Sequence, residues 1–109
     1  RQMCIRDSNK VRLSRITVDS ARLEEYNAYL KEEIEASMRL EPGVLVLYAV
    51  AEKERPHHVT ILEIYVDEAA YKSHIATPHF QKYKKETLDM VQSLELVDTT
   101  PLIPGLKIK

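Results

Sequence analysis

A carboxylate inside an apolar segment is the feature of this sequence best suited to chemistry. Residues 59–66 are mostly apolar or β-branched and alternate as a strand does, with Glu63 among them. Because strand side chains alternate between faces, Glu63 shares a face with Ile61 and Tyr65. A carboxylate there is costly to bury alone, so Glu63 either forms a structural ion pair or performs acid/base chemistry.

Two histidines lie downstream, in a region with helical spacing. His74 could act as a base or hydrogen-bond donor near neutral pH, or it could be a half-exposed residue at a helix end before Thr77-Pro78. His79 follows that proline and is expected at the surface or as a helix cap rather than in catalysis. His74 is therefore the stronger catalytic candidate of the two.

Aromatic residues and a histidine pair complete the set of candidates. Tyr48, Tyr65 and Tyr83 could line a pocket for a planar substrate, although ordinary core packing is the simpler explanation for each. His57 and His58 are adjacent, and neighbouring side chains on a strand point in opposite directions, which makes a poor metal site. We predict no metal site from the sequence.

The elements that must position these residues follow the order β-α-β-β-α-β. The first helix has one apolar stripe, formed by Leu23, Tyr26, Leu30, Ile34 and Met38, and Glu41-Pro42-Gly43 ends it. Strands are predicted over 11–18, 44–51, 59–66 and 94–99, a first helix from 19 to 40, and a second helical region from 67 to about 92 that is interrupted at 77–78. This order is typical of the ferredoxin-like α+β fold.

The strand at 44–51 predicts a partner subunit. Its run of apolar residues indicates that both of its faces are covered, whereas the helices of such a fold cover only one. The other face is expected to pack on a second copy, which gives a two-fold homodimer. Residues 1–10 are expected to be an N-terminal tail or expression remnant, 11–100 the domain, and 101–109 an extended arm that could cross to the partner.

Composition excludes several classes of protein. The chain has 109 residues, with 44% apolar and 30% charged, and its net charge of -1 argues against binding to nucleic acid or an anionic membrane. No apolar run is long enough to span a bilayer. Only two glycines are present, so there is no glycine-rich phosphate loop. The single cysteine, Cys4, cannot form an internal disulfide, which fits a cytoplasmic protein.

Several short motifs together resemble the antibiotic biosynthesis monooxygenase family over about residues 11–100. They are, in order, Glu41-Pro42-Gly43, Ile61-Leu62-Glu63-Ile64-Tyr65, Asp67-Glu68-Ala69-Ala70-Tyr71, His74 and Thr77-Pro78-His79-Phe80. The resemblance implies a dimeric α/β-barrel of two ferredoxin-like protomers, each with its own pocket between helices and sheet.

The same resemblance points away from haem. Haem-degrading members of the family use an asparagine on the first strand, a tryptophan on the third and a ligand histidine on the second helix. Here those places hold Ser14, Tyr65 and Tyr83. The chain is therefore more similar to the quinol-oxygenase-like members, which use no metal or flavin.

The resemblance implies a cofactor-independent monooxygenase of a small aromatic phenol or quinol, with dioxygen as co-substrate. The expected catalytic residues are His74 and Glu63, and the expected substrate-binding residues are Tyr65, Tyr48, Tyr83, Phe80 and His79. Two alternatives stay open at this point. One is a cofactor-free isomerase or tautomerase, and the other is a non-catalytic small-molecule-binding dimer with Glu63 held in an ion pair.

Overall fold

The computed structural model describes residues 3–4 and 9–109. The elements are β1 (Met3–Cys4), β2 (Lys10–Val18), α1 (Leu23–Leu40), β3 (Val44–Ala51), β4 (His58–Tyr65), α2 (Glu68–Ile75), α3 (Pro78–Glu86), β5 (Val91–Thr99) and β6 (Lys107–Ile108). Strands β3, β4, β2 and β5 form an antiparallel sheet in that spatial order, and β1 pairs with β6. The predicted ferredoxin-like order is confirmed, with the second helical region divided in two.

The first helix buries an unusual mixture of apolar and polar side chains. Tyr26 and Leu30 pack in the core as predicted, and Glu33 and Ser37 are buried on the same side. The predicted stripe was wrong at Met38, which is 45% exposed. The buried side is rotated because Glu33 and Ser37 face the second helical region, where His74 lies, rather than the sheet alone.

The interruption between α2 and α3 is built by Thr77 and Pro78. The Thr77 hydroxyl accepts a hydrogen bond from Phe80 N at 3.2 Å and donates one to the carbonyl of His74 at 2.7 Å. Pro78 occupies the start of α3, where its missing N–H costs nothing. The break therefore fixes His74 near the end of one helix and His79 at the beginning of the next.

The core lies between α1 and the sheet. Its buried members come from β2, α1, β4 and the turn before β5: Ile16, Val18, Tyr26, Leu30, Val59, Ile61 and Met90. On β4 the predicted alternation is confirmed, because Ile61, Glu63 and Tyr65 are all buried and line the same cavity.

The end of α3 differs from the prediction. The helix ends at Glu86 rather than near residue 92, and Leu88, expected on its apolar face, is 73% exposed. The backbone N–H and the hydroxyl of Thr87 both donate to the carbonyl of Tyr83, and Met90 N donates to the Thr87 carbonyl at 2.9 Å. This turn buries the Met90 side chain and lets β5 begin three residues earlier than predicted.

The chain ends also carry structure that the sequence did not predict. Lys10 belongs to β2, and Met3 and Cys4 pair with Ile108 and Lys107 in a short antiparallel ladder. The side chain of Cys4 lies outside the described residues. Within the described part of the chain, no helix is long and apolar enough to cross a membrane.

Candidate active site

A cavity of about 340 Å³ lies between the sheet and the helices. Its apolar walls come from Ile16, Leu30, Ile34, Leu47, Ile61, Ile75, Phe80, Leu94 and Leu96. Leu94 and Leu96 are about half exposed, which indicates that the cavity opens along β5. Its size and mostly apolar lining suit one small organic molecule.

Five of the seven predicted site residues line this cavity: Glu63, His74, Tyr65, Tyr83 and Phe80. Tyr48 does not line it. Leu47 faces the cavity, so the alternating strand turns Tyr48, which is 67% exposed, to the opposite face of the sheet. His79 does not line it either and instead contacts Glu41.

One wall of the cavity is organised around the buried Glu63 carboxylate. Tyr65 donates its hydroxyl to Oε1 at 2.7 Å, the Ser14 hydroxyl donates to Oε2, and Arg12 Nη2 lies 3.5 Å from Oε1. The partners that a buried carboxylate needs are therefore present. Burial and the adjacent charge of Glu63 raise the pKa of Tyr65, so its hydroxyl stays neutral and donates to Glu63 rather than to the cavity.

Arg12 is a fixed cation at this wall. Its guanidinium carbon lies 4.4 Å from the centroid of the Tyr71 ring, and its Nε has no hydrogen-bond partner among the described residues. Burial alone would lower the pKa of Arg12, but Tyr71 and the charge of Glu63 outweigh burial and raise it. Because Arg12 lines the cavity, its positive charge favours an anionic oxygen there.

Arg12 and the role of Ser14 were not predicted from the sequence. Period-two alternation over the first strand places Arg12, Ser14 and Ile16 on one face, but it does not say which strand lies alongside. The β2–β4 register supplies that information, because it sets Arg12 directly opposite Glu63.

A second polar group at the cavity is a hydrogen-bonded cluster of carboxylates and imidazoles, which the Tyr65 ring contacts at His74 with 5.3 Å between ring centroids. His74 is 2% exposed, with Nδ1 at 3.0 Å from Glu41 Oε2 and Nε2 at 3.4 Å from Glu33 Oε1. Ser37 donates to Glu33 Oε1 at 2.7 Å, and His79 Nε2 lies 2.6 Å from Glu41 Oε2. Glu33 and His74 line the cavity, whereas Glu41 and His79 lie behind them.

The two carboxyl groups of this cluster, Glu33 and Glu41, differ in their preferred charge. Burial raises the pKa of Glu33, although the Ser37 hydroxyl and the nearby histidines oppose the shift. Burial would also raise the pKa of Glu41, but hydrogen bonds from His79 and His74 outweigh it and lower that pKa. Glu41 is therefore the more firmly charged carboxylate, and Glu33 the one that more readily holds a proton.

The same cluster of carboxylates and imidazoles contains potential metal ligands. Glu41, His74 and His79 each offer one ligand atom, and these atoms lie within 4.8 Å of one another. Glu33 and the contacts of Glu41 with the histidines were not predicted from the sequence. A charged residue beside the apolar stripe of α1 was the available indication, but it could not reveal that the helix break brings two histidines to Glu41.

Comparisons with known proteins give a consistent family. The family profile described as antibiotic biosynthesis monooxygenase matches residues 11–86, more than half of the chain. Among solved structures, a candidate antibiotic biosynthesis monooxygenase from Bacteriodes thetaiotaomicron VPI-5482 is 84% identical, with a TM-score of 0.92. That match covers 94% of this chain and 97% of the other.

Two further structures are more distant in sequence. A candidate monooxygenase from Lactobacillus acidophilus NCFM is 26% identical with a TM-score of 0.83, and the match covers 99% of this chain but 53% of that one. A candidate antibiotic biosynthesis monooxygenase from Nitrosomonas europaea is 18% identical with a TM-score of 0.84, covers 94% and 99% of the two chains, and shows the fold alone. No curated protein matches the chain.

Proposed function

The chain belongs to the antibiotic biosynthesis monooxygenase family, and from this we propose that it oxidises a small aromatic phenol or quinol with dioxygen and without a redox cofactor. The observation that carries the proposal is the cavity itself. Its lining combines the guanidinium of Arg12, the imidazole–carboxylate pair of His74 and Glu33, and many apolar side chains. This arrangement suits a planar molecule with an ionisable hydroxyl group.

Arg12, the His74–Glu33 pair and Glu63 have separate roles in the proposed reaction. Arg12 binds the phenolic oxygen and favours its anionic form, because a nearby positive charge stabilises a phenolate. The His74–Glu33 pair accepts the proton, and the carboxylate of Glu33 orients the imidazole ring. Glu63 positions Arg12 and Tyr65 and does not itself act as the base, since its oxygens already accept from Ser14 and Tyr65.

The proposed reaction balances without an external reductant. The phenolate transfers an electron to dioxygen, and recombination at a ring carbon forms a carbon–oxygen bond and a peroxide. The O–O bond then breaks, the hydrogen on that ring carbon is lost, and a quinone and water leave. One oxygen atom enters the product and the other is reduced to water, with both hydrogens of the water supplied by the substrate. The dry apolar cavity limits loss of the reactive intermediates to bulk water.

The first prediction concerns oxygen uptake by the purified protein. With a series of phenols and quinols under air, we expect uptake above the uncatalysed rate, and we expect His74→Ala to lower kcat by roughly 100-fold or more because the proton acceptor is lost. Arg12→Met should mainly raise KM, because the anion-binding group is lost. His57→Ala, in the hairpin loop outside the cavity, is the matched control and should retain activity.

The control conditions separate the other functions. Turnover of the same compounds without dioxygen would show that the protein is an isomerase and does not oxidise them. Tight binding of these compounds without turnover would show that the protein is a carrier and not an enzyme. Oxygen uptake that is unchanged in His74→Ala would remove His74 from the mechanism, provided that circular dichroism shows the variant to be folded.

A further inference from the structure

We propose that Glu41, His74 and His79 form a binding site for one divalent zinc ion. The three residues come from different places in the chain: Glu41 follows α1, His74 lies near the end of α2, and His79 lies in the first turn of α3. Two imidazole nitrogens and a carboxylate oxygen are donors that zinc readily accepts. The proposed oxidation uses His74 as a proton acceptor and none of the three residues as a metal ligand.

All three ligand atoms lie within 4.8 Å of one another, and the two separations that involve Glu41 are close to what zinc requires. Glu41 Oε2 lies 3.0 Å from His74 Nδ1 and 2.6 Å from His79 Nε2. Two ligands at about 2.1 Å from a tetrahedral zinc ion are separated by roughly 3.4 Å. Side-chain adjustments of less than roughly 1 Å at these two contacts would therefore admit the ion, which would replace the protons now shared between the imidazoles and Glu41.

A second carboxylate supports the same assignment. Ligand histidines commonly hydrogen-bond through the other ring nitrogen to a carboxylate, which fixes the ring and its tautomer. His74 has this arrangement, because Nδ1 faces Glu41 while Nε2 lies 3.4 Å from Glu33. Glu33 is in turn held by the Ser37 hydroxyl at 2.7 Å. The two buried polar residues of α1 thus behave as outer support for the proposed ligand His74.

The low exposure of the three ligand side chains favours zinc over larger and more hydrated cations. The side chains of His74, Glu41 and His79 are 3%, 13% and 15% exposed, so space for bound water is limited. Calcium and magnesium prefer more ligands and oxygen donors. Three protein ligands leave one coordination position for water, as in a four-coordinate zinc site.

The helix break explains why the ligands meet. Hydrogen bonds of Thr77 to the His74 carbonyl and to Phe80 N hold the two helix ends together. His74 and His79 therefore approach one carboxylate, although their separation of five residues would not bring them together on one continuous helix. Among the described residues, no such group of three ligands includes the adjacent pair His57 and His58, whose ring centroids are 4.4 Å apart, so this pair serves as an internal comparison.

The test is a titration of the chelator-treated protein with zinc chloride, measured by isothermal titration calorimetry, together with metal analysis after dialysis. We expect one zinc ion per chain, and we expect His79→Gln and Glu41→Gln each to weaken binding by at least about tenfold. Glu33→Gln should weaken binding by roughly 10- to 100-fold through loss of the outer support. The double variant His57→Ala/His58→Ala and the variant Cys4→Ser should bind as the unchanged protein does.

Three results would overturn the proposal: no binding of zinc, equal affinity in the folded variant His79→Gln, or loss of binding in the His57→Ala/His58→Ala or Cys4→Ser variants. His79 and Glu41 lie outside the core cluster, and circular dichroism verifies that these variants fold. Because zinc binding is measured without substrate, its failure leaves the proposed oxidation unaffected. Zinc on His74 Nδ1 would leave that imidazole without a nitrogen to accept the substrate's proton, so the proposed oxidation belongs to the zinc-free protein and added zinc should lower oxygen uptake.

Discussion

At the scale of single residues, the hydroxyls of two buried tyrosines and one partly buried tyrosine couple folding to alkaline pH. Tyr26 and Tyr83 hydrogen-bond to each other at 2.6 Å, and Tyr65 donates to Glu63. Burial raises the pKa of Tyr26 to about 12, although its bond with Tyr83 opposes the shift. Burial also raises the pKa of Tyr83 and of Tyr65, each next to another group that disfavours phenolate.

The prediction is a loss of stability that begins near pH 10. A tyrosine in the unfolded chain ionises near that pH, whereas Tyr26, Tyr65 and Tyr83 stay protonated in the folded state. Their contribution is therefore fully present below about pH 10 and is lost as pH rises towards the folded pKa values, at about 1.4 kcal/mol per pH unit for each group. Urea unfolding between pH 8 and 11.5 measures this slope.

A variant assigns the slope to particular residues. Tyr26→Phe removes one titrating group and should flatten the alkaline loss of stability. Leu88→Ala, an exposed residue without a titrating group, controls for unspecific destabilisation. Equal slopes in Tyr26→Phe and the unchanged protein would show that the burial of Tyr26 does not control alkaline unfolding.

Single residues also show which parts of the site can be predicted from the sequence and which cannot. Alternation alone placed Glu63 on a buried face and required a partner for it, and the structure supplies Arg12, Ser14 and Tyr65. The identity of Arg12 depends on which strand lies beside β4, and that is a long-range contact without a local signature. The partner of His74 could not be predicted either, because Glu41 lies 33 residues away in the sequence.

At the scale of elements, the junction between α1 and β3 is packed against α2 at Gly43. A Cβ added to Gly43 would lie 2.7 Å from Ala70 Cβ, which is too close for two carbon atoms. Gly43 also accepts a hydrogen bond from Val66 N at 2.9 Å, so the backbone cannot easily move away. The missing side chain of Gly43 therefore sets how closely α2 approaches the sheet.

The prediction is that Gly43→Ala lowers the free energy of unfolding by about 1–3 kcal/mol through overpacking. Ala70→Gly alone should also cost about 1 kcal/mol, because glycine weakens a helix. In the double variant the two losses should be less than additive, since removing the Ala70 methyl makes room for the new one. Chemical denaturation of all four proteins tests this, and simple additivity would show that the contact with Ala70 is not the cause.

Element order was accessible from the sequence because it depends on local patterns. Proline and glycine at 42–43 ended α1, and Thr77-Pro78 divided the second helical region, as predicted. The end of α3 was not predicted, since Leu88 and Val91 continue an apolar pattern across a turn. Hydrogen bonds from Thr87 to Tyr83 end the helix there, and apolar periodicity does not report them.

At the scale of the whole molecule, the sheet has apolar residues on the face away from the cavity. Tyr48 and Val50 are 67% and 51% exposed on β3, and the alternation that directs Leu47 to the cavity directs them outward. Exposing such residues to water is unfavourable, so they favour an interface. The expected partner is a second copy related by a two-fold axis, and the cavities on the two outer faces would stay open.

The final prediction follows from two-fold symmetry. Val50→Glu would place one carboxylate from each copy on the same buried interface, where an unpaired charge costs several kcal/mol per ion. We expect the unchanged protein to sediment as a dimer and the variant to sediment as a monomer at the same micromolar concentration. Leu88→Glu introduces the same charge at a leucine that is 73% exposed in the turn before β5, and it should stay dimeric. If both variants or neither dissociated, the outer face of β3 would not be the dimer interface. Because Val50 lies on the other face of the sheet from the cavity, a folded monomeric Val50→Glu should still bind the proposed substrate, which makes assembly and the site separable by experiment.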